Sequence, residues 1–372
     1  MKVLLYSHTF YPSIGGIETV SMALANGFAN NAITFKVITK TPGAGDRKLG
    51  FEVFRNPNRR RQIDLVKWAD VVLFNGASLA LQPWILFFRK PFVWIHTGYQ
   101  VSCIDGLGWV NGRRAPLDPW RSFLFHKNLK GWNWGLVAVA KLLIRRTVAK
   151  HFVAKNIAIT EWMFKVQALP RQVCIYNPFP INEIDNSIKE HDYDFLYLGR
   201  IVSEKGVLTL LRAFSKVLLM RNQCHRLLII GDGDWRKSME AAAQELEISN
   251  FVTFTGNQTG DDLLSWLSKG KIGVIPSEWY EAMGGVALEL MSLGKNLIVS
   301  EKGGLKECVG NAALTFPNGD HEALAECMCR LLEDVPLREA QLLEAKERIK
   351  HFNPSVSVLK YVSLLKKIAN SN

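Results

Sequence analysis

Short apolar runs alternate with helical stretches along most of the chain. In the first half, strands are predicted at residues 3–6, 34–39, 71–74, 92–96 and 156–160, and helices at 18–30 and 141–155. Apolar runs of this length, separated by amphipathic stretches, are typical of parallel α/β layers. Residues 101–135 are rich in glycine and tryptophan and show no such period, so they stay unassigned.

A second series of the same kind begins near residue 192. Its predicted strands lie at 193–198, 226–230, 252–255, 272–275 and 296–299, and its predicted helices at 206–221, 237–246, 261–268, 286–293 and after Asp320 and Pro336. The link between the series contains Pro178 and Pro180, which stiffen the crossing. Because 372 residues are too many for one core, we expect two Rossmann-like domains, at residues 1–178 and 179–350. Open parallel sheets bind ligands beyond the carboxyl ends of their strands, so a site is expected in a cleft between the two domains.

The net charge of +12 is unevenly distributed. Residues 1–180 carry 24 Lys and Arg against 8 Asp and Glu, whereas the remaining residues carry 22 against 26. A basic half indicates an anionic partner, for which anionic lipid, a phosphorylated acceptor and nucleic acid are candidates. Because no nucleic-acid-binding module is recognisable, we expect no nucleic acid partner.

Residues 113–151 interleave basic and aromatic side chains. Nine Lys and Arg alternate there with Trp120, Phe123, Phe125, Trp132 and Trp134, and no Asp or Glu follows Asp118. Such a surface suits the interface of an anionic bilayer. In the alternative interpretation the aromatic side chains belong to the core and only the charges are exposed.

The cysteines and the apolar runs indicate the cellular compartment of the protein. The six cysteines are scattered without a Cys-x-x-Cys pair, which disfavours a disulfide framework or a zinc site and favours the reducing cytoplasm. The first apolar run is too short for a secretory signal, and none is long enough to span a bilayer. We expect a cytoplasmic protein that can lie on the inner face of the cytoplasmic membrane.

Residues 276–289 are the most informative stretch. An apolar run ends there, Glu281 lies in a loop, Gly284 and Gly285 open a helix, and Glu289 lies inside that helix. The first amides of a helix lack intrahelical partners and bind anions, whereas carboxylates accept hydrogen bonds from hydroxyls. The stretch therefore predicts a pocket for a ligand with both phosphates and hydroxyls. The alternative is an ordinary strand-loop-helix unit with solvated acids.

Two cations follow the first strand of the second series. Arg200 and Lys205 bracket the turn that leads into the next helix. At a strand end they can neutralise a diphosphate, Arg as a bidentate fork and Lys as a point charge. The alternative is a solvated turn in which Glu204 and Lys205 face water.

Other turns give weaker indications. Gly15 and Gly16 open the first helix and would let a ligand approach the backbone. His96 ends a strand at its carboxyl edge, where a structural and a catalytic role both stay open. Asp232 and Asp234 resemble an Asp-x-Asp metal motif, but Gly-Asp-Gly after a strand is typical of a turn. Neither a Gly-x-Gly-x-x-Gly nor a P-loop motif occurs, which disfavours dinucleotide and P-loop sites.

In order and spacing, these motifs resemble those of the GT-B retaining glycosyltransferases of family 4, the glycosyl transferases group 1. The resemblance covers nearly the whole chain. The motifs that carry it are the first Gly-Gly turn, the His after a strand, the Asn-Pro linker, Gly-Arg-x4-Lys-Gly at residues 199–206 and Glu-x7-Glu at residues 281–289. The resemblance implies a GT-B fold of two Rossmann-like domains that face each other across a cleft, with a last helix in residues 351–372 packed on the N-terminal domain.

The resemblance also implies residue roles. Arg200 and Lys205 would bind the donor diphosphate and stabilise the leaving nucleotide, while Glu281 and His96 would contact the transferred sugar. Glu289 would hold the ribose hydroxyls. Backbone amides near the sugar and the diphosphate would be those of Gly15, Gly16, Gly284, Gly285 and Val286.

The implied activity is retaining transfer of a sugar from a nucleotide-diphosphate-sugar donor to a glycan or lipid-linked acceptor, in bacterial envelope polysaccharide or lipopolysaccharide assembly. In front-face displacement the leaving phosphate takes the proton of the acceptor, so neither a cofactor nor a metal is expected. Catalysis would rest on positioning and on charge stabilisation. Two alternatives stay open: a sugar-nucleotide epimerase or phosphorylase on the same fold, and a non-catalytic nucleotide-sugar-binding protein.

Overall fold

The structure is a computed structural model that describes residues 1–13, 15–43, 49–179, 191–221 and 224–371. The chain divides into two compact units. Unit 1 comprises Met1–Gly108, Ala115–Pro180 and Phe352–Asn372, and unit 2 comprises Trp109–Arg114 and Ile181–His351. Pro180 of the predicted linker lies outside the described residues, and the predicted domain boundary at 178 stays a prediction.

Unit 1 is built on a seven-stranded parallel sheet. Its strands are β1 (Lys2–Ser7), β2 (Thr34–Thr39), β3 (Val53–Arg55), β4 (Val71–Asn75), β5 (Phe92–His96), β8 (Lys155–Ala158) and β9 (Gln172–Cys174), in the order β3-β2-β1-β4-β5-β8-β9. Its helices are α1 (Gly16–Asn30), α2 (Arg59–Trp68), α3 (Gln82–Phe87), α4 (Pro119–Lys130), α5 (Trp132–His151), α6 (Glu161–Val166) and α14 (Pro354–Asn370). Both central strands β4 and β5 are buried along their whole length, as helices on the two faces of a parallel sheet require.

The last helix belongs to unit 1, as predicted. At Gly27 of α1 an added Cβ would lie 2.5 Å from Val358 Cγ1 of α14, so glycine permits the two helices to approach. The hydroxyl of Tyr361, also on α14, donates to Asn177 Oδ1 at 3.2 Å. The buried side chain of Tyr361 thus holds α14 against the segment of unit 1 that contains Asn177.

Unit 2 contains a six-stranded parallel sheet and a two-stranded antiparallel hairpin. The hairpin strands are β6 (Trp109–Val110) and β7 (Arg113–Arg114), and the sheet strands are β10 (Tyr193–Leu198), β11 (Leu227–Ile230), β12 (Val252–Gly256), β13 (Gly270–Ile275), β14 (Asn296–Ser300) and β15 (Leu314–Phe316), in the order β12-β11-β10-β13-β14-β15. The helices are α7 (Val207–Arg221), α8 (Arg236–Glu245), α9 (Gly260–Ser268), α10 (Gly285–Ser292), α11 (Gly304–Val309), α12 (His321–Glu333) and α13 (Val335–Lys350).

The prediction of two parallel α/β layers is confirmed. The predicted helix at 141–155 is the second part of α5, which ends at His151 because Ala154 already donates to Phe92 O at the sheet. The unassigned residues 101–135 form the hairpin, α4 and the start of α5. Within the described ranges, no helix combines the length and apolar character needed to cross a bilayer.

Candidate active site

Two loops of unit 2 are held together at the carboxyl ends of neighbouring strands. Because β10 and β13 are parallel neighbours, the segments 199–206 and 276–284 leave the sheet at the same edge. The amides of Glu278 and Trp279 both donate to Glu204 O, at 3.0 and 3.4 Å. The loop that carries Glu281 is therefore bonded to the turn that carries Lys205.

Glycine is required where these loops touch. Gly206 has φ +69°, and a Cβ there would lie 1.9 Å from Pro276 O. Gly303, with φ +109°, would place a Cβ 2.8 Å from the amide nitrogen of Glu281. The next amide, of Gly304, donates to Glu281 O at 2.7 Å. The backbone of Glu281 is thus held by close contacts with Gly303 and Gly304.

The two predicted site residues Lys205 and Glu281 form an ion pair. Lys205 Nζ lies 2.8 Å from Glu281 Oε1, and Ser277 Oγ donates to the same carboxylate oxygen. Glu281 is only 7% exposed. Because both bonds end on Oε1, Oε2 is the oxygen that a ligand hydroxyl would meet. A charge-assisted pair in a partly buried place also holds the ammonium group in position for an anion.

Arg200 and Trp279 offer further donors at this edge. The Arg200 side chain is 69% exposed and contacts Glu204 Oε1 at 3.3 Å, an exposed pair that stabilises little and can rearrange toward an anion. The indole Nε1 of Trp279 is buried without a hydrogen-bond partner among the described residues. The Lys205 ammonium lies 5.6 Å from the centroid of that ring. An unpaired buried donor is costly, so a ligand oxygen would stabilise it.

The N-terminus of α10 lies in the same loop. Its N-cap is Gly284, and no side chain caps the helix, so the amides of Gly285 and Val286 are available to an anion. The amide of Gly284 donates to Cys308 Sγ at 3.3 Å and is therefore already engaged. The predicted trio of amides thus reduces to two that can bind a phosphate without loss of an existing bond.

Glu289 lies on α10 without a partner. Among the described residues its carboxylate makes no hydrogen bond or ion pair, and burial raises the pKa of the carboxyl group. A partly buried acid without a partner is more typical of a ligand site than of a structural pair. Its environment differs from that of Glu281, which has two partners.

His96 is held by unit 1 as a neutral ring. It is 3% exposed, and its Nε2 lies 2.8 Å from Asn156 Oδ1. The amide nitrogen of Asn156 donates to Ala149 O and Pro170 O, so its oxygen must accept and His96 Nε2 must carry the proton. Burial lowers the pKa of His96 to about 4. At neutral pH the ring is therefore uncharged, with Nδ1 as its acceptor nitrogen.

Gly15 and Gly16 lie at the start of α1 without a side-chain cap, and Ile14 lies outside the described residues. Gly15 is extended, with φ 165°, and a Cβ there would lie 2.6 Å from Glu18 Oε2. A carboxylate at this place opposes the approach of a phosphate. The predicted diphosphate contact of the two glycines stays a prediction.

The Asp232 carboxylate bonds to the backbone of a turn and forms an ion pair. Its Oδ1 accepts from the amide of Gly233, and its Oδ2 lies 3.2 Å from Arg236 Nη1. No group of three His, Cys, Asp or Glu side chains arranged for a metal is found in the parts of the chain that the structure describes. These bonds agree with the interpretation of Gly-Asp-Gly as a turn.

The tryptophans of α4 and α5 are exposed. Trp120 is 65% exposed, Trp132 61% and Trp134 40%, whereas Phe123 is buried. The ammonium groups of Lys127 and Lys130 lie 4.2 and 4.6 Å from the ring centroids of Trp132 and Trp134. The interpretation of all these aromatic side chains as core residues is therefore wrong for the tryptophans.

One group of residues near this loop pair was missed from the sequence. The hairpin β6–β7 brings Trp109 and Arg114 to the loops of unit 2. Its turn residues are Asn111 and Gly112, a dipeptide typical of tight hairpins, and this signal could have found it.

Residues 179–348 match the family model of the glycosyl transferases group 1. This part of the chain, which makes up most of unit 2, is therefore similar to the glycosyl transferases group 1. An uncharacterized glycosyltransferase of Methanocaldococcus jannaschii is 33% identical over 165 residues, which cover 44% of this chain and 41% of that protein. The lipopolysaccharide 1,2-N-acetylglucosaminetransferase of Salmonella typhimurium is 28% identical over 184 residues, 46% of each chain. The matches thus span less than half of either relative.

The likeness to solved structures covers both units of the chain. Anabaena Alr3699/HepE in complex with UDP-glucose aligns with a TM-score of 0.72 at 18% identity, over 98% of this chain and 100% of that one. At such identity the likeness shows the fold, which is GT-B. The predicted fold class is therefore confirmed.

The neutral state of His96 predicts a pH dependence of stability. Because the folded pKa is about 4 and the unfolded value 6.5, the unfolded state binds more protons between these values, and stability falls as the pH is lowered through this window. In urea unfolding, the advantage of wild type over His96→Gln should shrink by up to about 1.4 kcal/mol per pH unit below pH 6.5. His151→Gln, at an exposed histidine of α5, is the control. An advantage of the same size at pH 7.5 and pH 5 would contradict the assignment.

Proposed function

We propose that this chain is a retaining glycosyltransferase that moves a sugar from a nucleotide-diphosphate-sugar donor to a glycan or lipid-linked acceptor. The observation that carries the proposal is the unpartnered carboxylate of Glu289 on a helix whose N-terminus no side chain caps and whose preceding loop carries Glu281, the partner of Lys205. The match of residues 179–348 to the glycosyl transferases group 1 supports it. A structural neighbour holds UDP-glucose and a relative is named for lipopolysaccharide, which supports a role in bacterial envelope polysaccharide or lipopolysaccharide assembly.

In this proposal the loops of unit 2 bind the donor. The diphosphate lies against the amides of Gly285 and Val286, with Lys205 and Arg200 as its cations. Glu289 accepts hydrogen bonds from the ribose hydroxyls, which supply the partners that its half-buried carboxylate lacks. These contacts use donors for the phosphates and an acceptor for the hydroxyls, as the chemistry of the ligand requires.

The sugar is held by hydrogen bonds. Glu281 Oε2 accepts from a sugar hydroxyl, while Lys205 and Ser277 keep the carboxylate oriented through Oε1. In unit 1, His96 has the role of a neutral hydrogen-bonding group for a sugar. Because its pKa lies near 4, it does not act as a cationic acid at neutral pH.

In the proposed reaction, the acceptor attacks the anomeric carbon from the same face of the sugar from which the leaving group departs. The bond between the anomeric carbon and the phosphate oxygen breaks, and its electron pair leaves with the nucleoside diphosphate. The acceptor oxygen bonds to the anomeric carbon, and its proton passes to the leaving phosphate oxygen. Lys205 and Arg200 stabilise the charge that develops on the diphosphate. The proposal includes neither a metal nor a cofactor.

The exposed tryptophans support a membrane surface as the cellular location of this activity. We propose that α4 and α5 contact an anionic bilayer on the inner face of the cytoplasmic membrane, where a lipid-linked acceptor would be found. Trp120, Trp132 and Trp134 present apolar rings with polar edges, which suit the level of the lipid headgroups. The two lysines stacked on these rings would meet lipid phosphates.

The donor site is tested by turnover of a panel of UDP-, GDP- and ADP-sugars, with glycan and polyprenyl-phosphate-linked saccharides as acceptors. For a sugar that wild type transfers, Lys205→Ala and Glu289→Gln should each lower kcat/KM by roughly 100-fold, because a cation or an acceptor that meets the donor is lost. Lys237→Ala, at an exposed lysine of α8, should behave as wild type. NMR of the product should show the anomeric configuration of the donor.

Other outcomes separate the alternatives. A changed sugar nucleotide without acceptor identifies an epimerase, and a sugar phosphate formed with inorganic phosphate identifies a phosphorylase. Binding without turnover in any mixture identifies a non-catalytic protein. Full activity in both Lys205→Ala and Glu289→Gln would contradict the site, and an inverted product would contradict the retaining mechanism.

The membrane contact is tested by co-sedimentation with vesicles of phosphatidylcholine with and without phosphatidylglycerol. Wild type should bind the anionic vesicles more tightly, and less so at high salt. The double variant Trp132→Ser, Trp134→Ser should lower the partition coefficient at least about tenfold, because two apolar rings no longer insert. Leu219→Ser, at an 81% exposed leucine of α7, should leave binding unchanged. Equal binding to neutral vesicles, or no effect of the tryptophans, would contradict the proposal.

A further inference from the structure

The hairpin β6–β7 is a compact element of unit 2. Trp109 pairs with Arg114 and Val110 with Arg113. The two turn residues Asn111 and Gly112 have φ of 49° and 75°, the left-handed values of a type I′ turn, which suits a two-residue hairpin. The turn sets the register of the strands and thereby fixes where Trp109 and Arg114 lie.

Arg114 joins three pieces of backbone and side chain. Its Nε donates to Glu278 O at 3.3 Å, its Nη1 to the Tyr280 hydroxyl at 3.2 Å, and its Nη2 to Asn318 O at 3.0 Å. The guanidinium carbon also lies 5.0 Å from the centroid of the Tyr280 ring. Arginine suits this place because its donors form a planar fork, which lysine cannot reproduce.

Asn318 completes the network. Its Nδ2 donates to Ser277 O at 2.9 Å, so the residue that accepts from Arg114 through its carbonyl holds the start of the same loop through its side chain. The loop 276–284 is therefore bonded at Ser277, Glu278 and Tyr280, directly before Glu281. No part of this network uses the carboxylate of Glu281 itself.

Trp109 contacts the other loop. Its Nε1 donates to Ser203 Oγ at 3.0 Å, and the side chain is 6% exposed. Ser203 lies two positions before Lys205, in the 3-10 turn Ser203–Lys205. The hairpin thus binds the turn of Lys205 through Trp109 and the loop of Glu281 through Arg114.

We propose that this hairpin is a positioning element, in which Arg114 and Trp109 hold the two loops in the geometry that binds the sugar nucleotide. The inference rests on the proposed function for the identity of the ligand. Neither residue needs to touch the substrate. A small displacement of a substrate-binding group lowers the reaction rate by a large factor. Because the hairpin bonds to both loops, it sets the distance between Lys205 and Glu281.

Arg113 offers a matched control. It is the neighbour of Arg114 in β7, it is exposed, and its side chain makes no hydrogen bond or ion pair among the described residues. Arg113→Ala removes the same charge from the same hairpin without touching either loop. Trp109→Phe is a milder second variant that keeps an aromatic side chain, although a smaller one, and removes the bond to Ser203.

The experiment compares Arg114→Ala with Arg113→Ala in the full chain by two readouts. In hydrogen exchange without ligand, Arg114→Ala should speed exchange of amides in 276–284 by about tenfold, while peptides of β11 and β12 exchange as in wild type. In sugar-nucleotide turnover it should lower kcat at least about tenfold, and Tyr280→Phe should add little in the Arg114→Ala background because it breaks the same contact. Trp109→Phe should speed exchange in 199–206.

Equal behaviour of Arg114→Ala and Arg113→Ala in exchange would overturn the inference. Faster exchange with unchanged kcat would also overturn it, because the network would then be structural only. If wild type turns over no sugar nucleotide, the proposed function fails, and the exchange comparison still decides whether the hairpin holds the loops.

Discussion

The contact of Gly206 with Pro276 is the constraint on which the candidate site of unit 2 depends. No side chain fits between them, since a Cβ would lie 1.9 Å from the carbonyl oxygen. The two loops can therefore run close enough for Glu204 to accept from two amides of the opposite loop. Lys205 and Glu281 then meet at 2.8 Å although 76 positions separate them in sequence. A larger residue at 206 would separate the loops and with them the ion pair.

In this arrangement the carboxylates of Glu281 and Glu289 have different surroundings. Glu281 is satisfied in the free protein by Lys205 and Ser277, so it is oriented before any ligand arrives. Glu289 is left without a partner, and burial raises the pKa of its carboxyl group. A half-buried acid without a partner destabilises the free state, and we propose that the hydroxyls of a ligand offset that cost on binding. The two acids of the Glu-x7-Glu pattern thus differ in their hydrogen-bond partners, which agrees with the different roles proposed for them.

The sequence predicts those structural elements that a local pattern of apolar residues or glycines marks. Strands of four to six residues and the loop-to-helix stretch at 276–289 are predicted because apolar runs and glycines mark them. Strands of three residues, such as β3 and β15, hold too little pattern, and the hairpin was overlooked among neighbouring glycines despite its Asn-Gly turn. The partner of His96 lies 60 positions away in Asn156, so its neutral state could not be read from the chain. Exposure of the tryptophans likewise depends on how α4 and α5 pack.

In the proposed site, the two hydrogen-bonded loops bind a nucleoside diphosphate through the N-terminus of α10. Hydrogen exchange with and without UDP, or with GDP or ADP where calorimetry shows tighter binding, tests this most directly, because it reports on single amides rather than on turnover. We expect slower exchange at the amides of Gly285 and Val286 and in residues 199–206, with little change in α12. Saturating binding that leaves those amides unprotected, or that protects a different edge of the sheet, would contradict it.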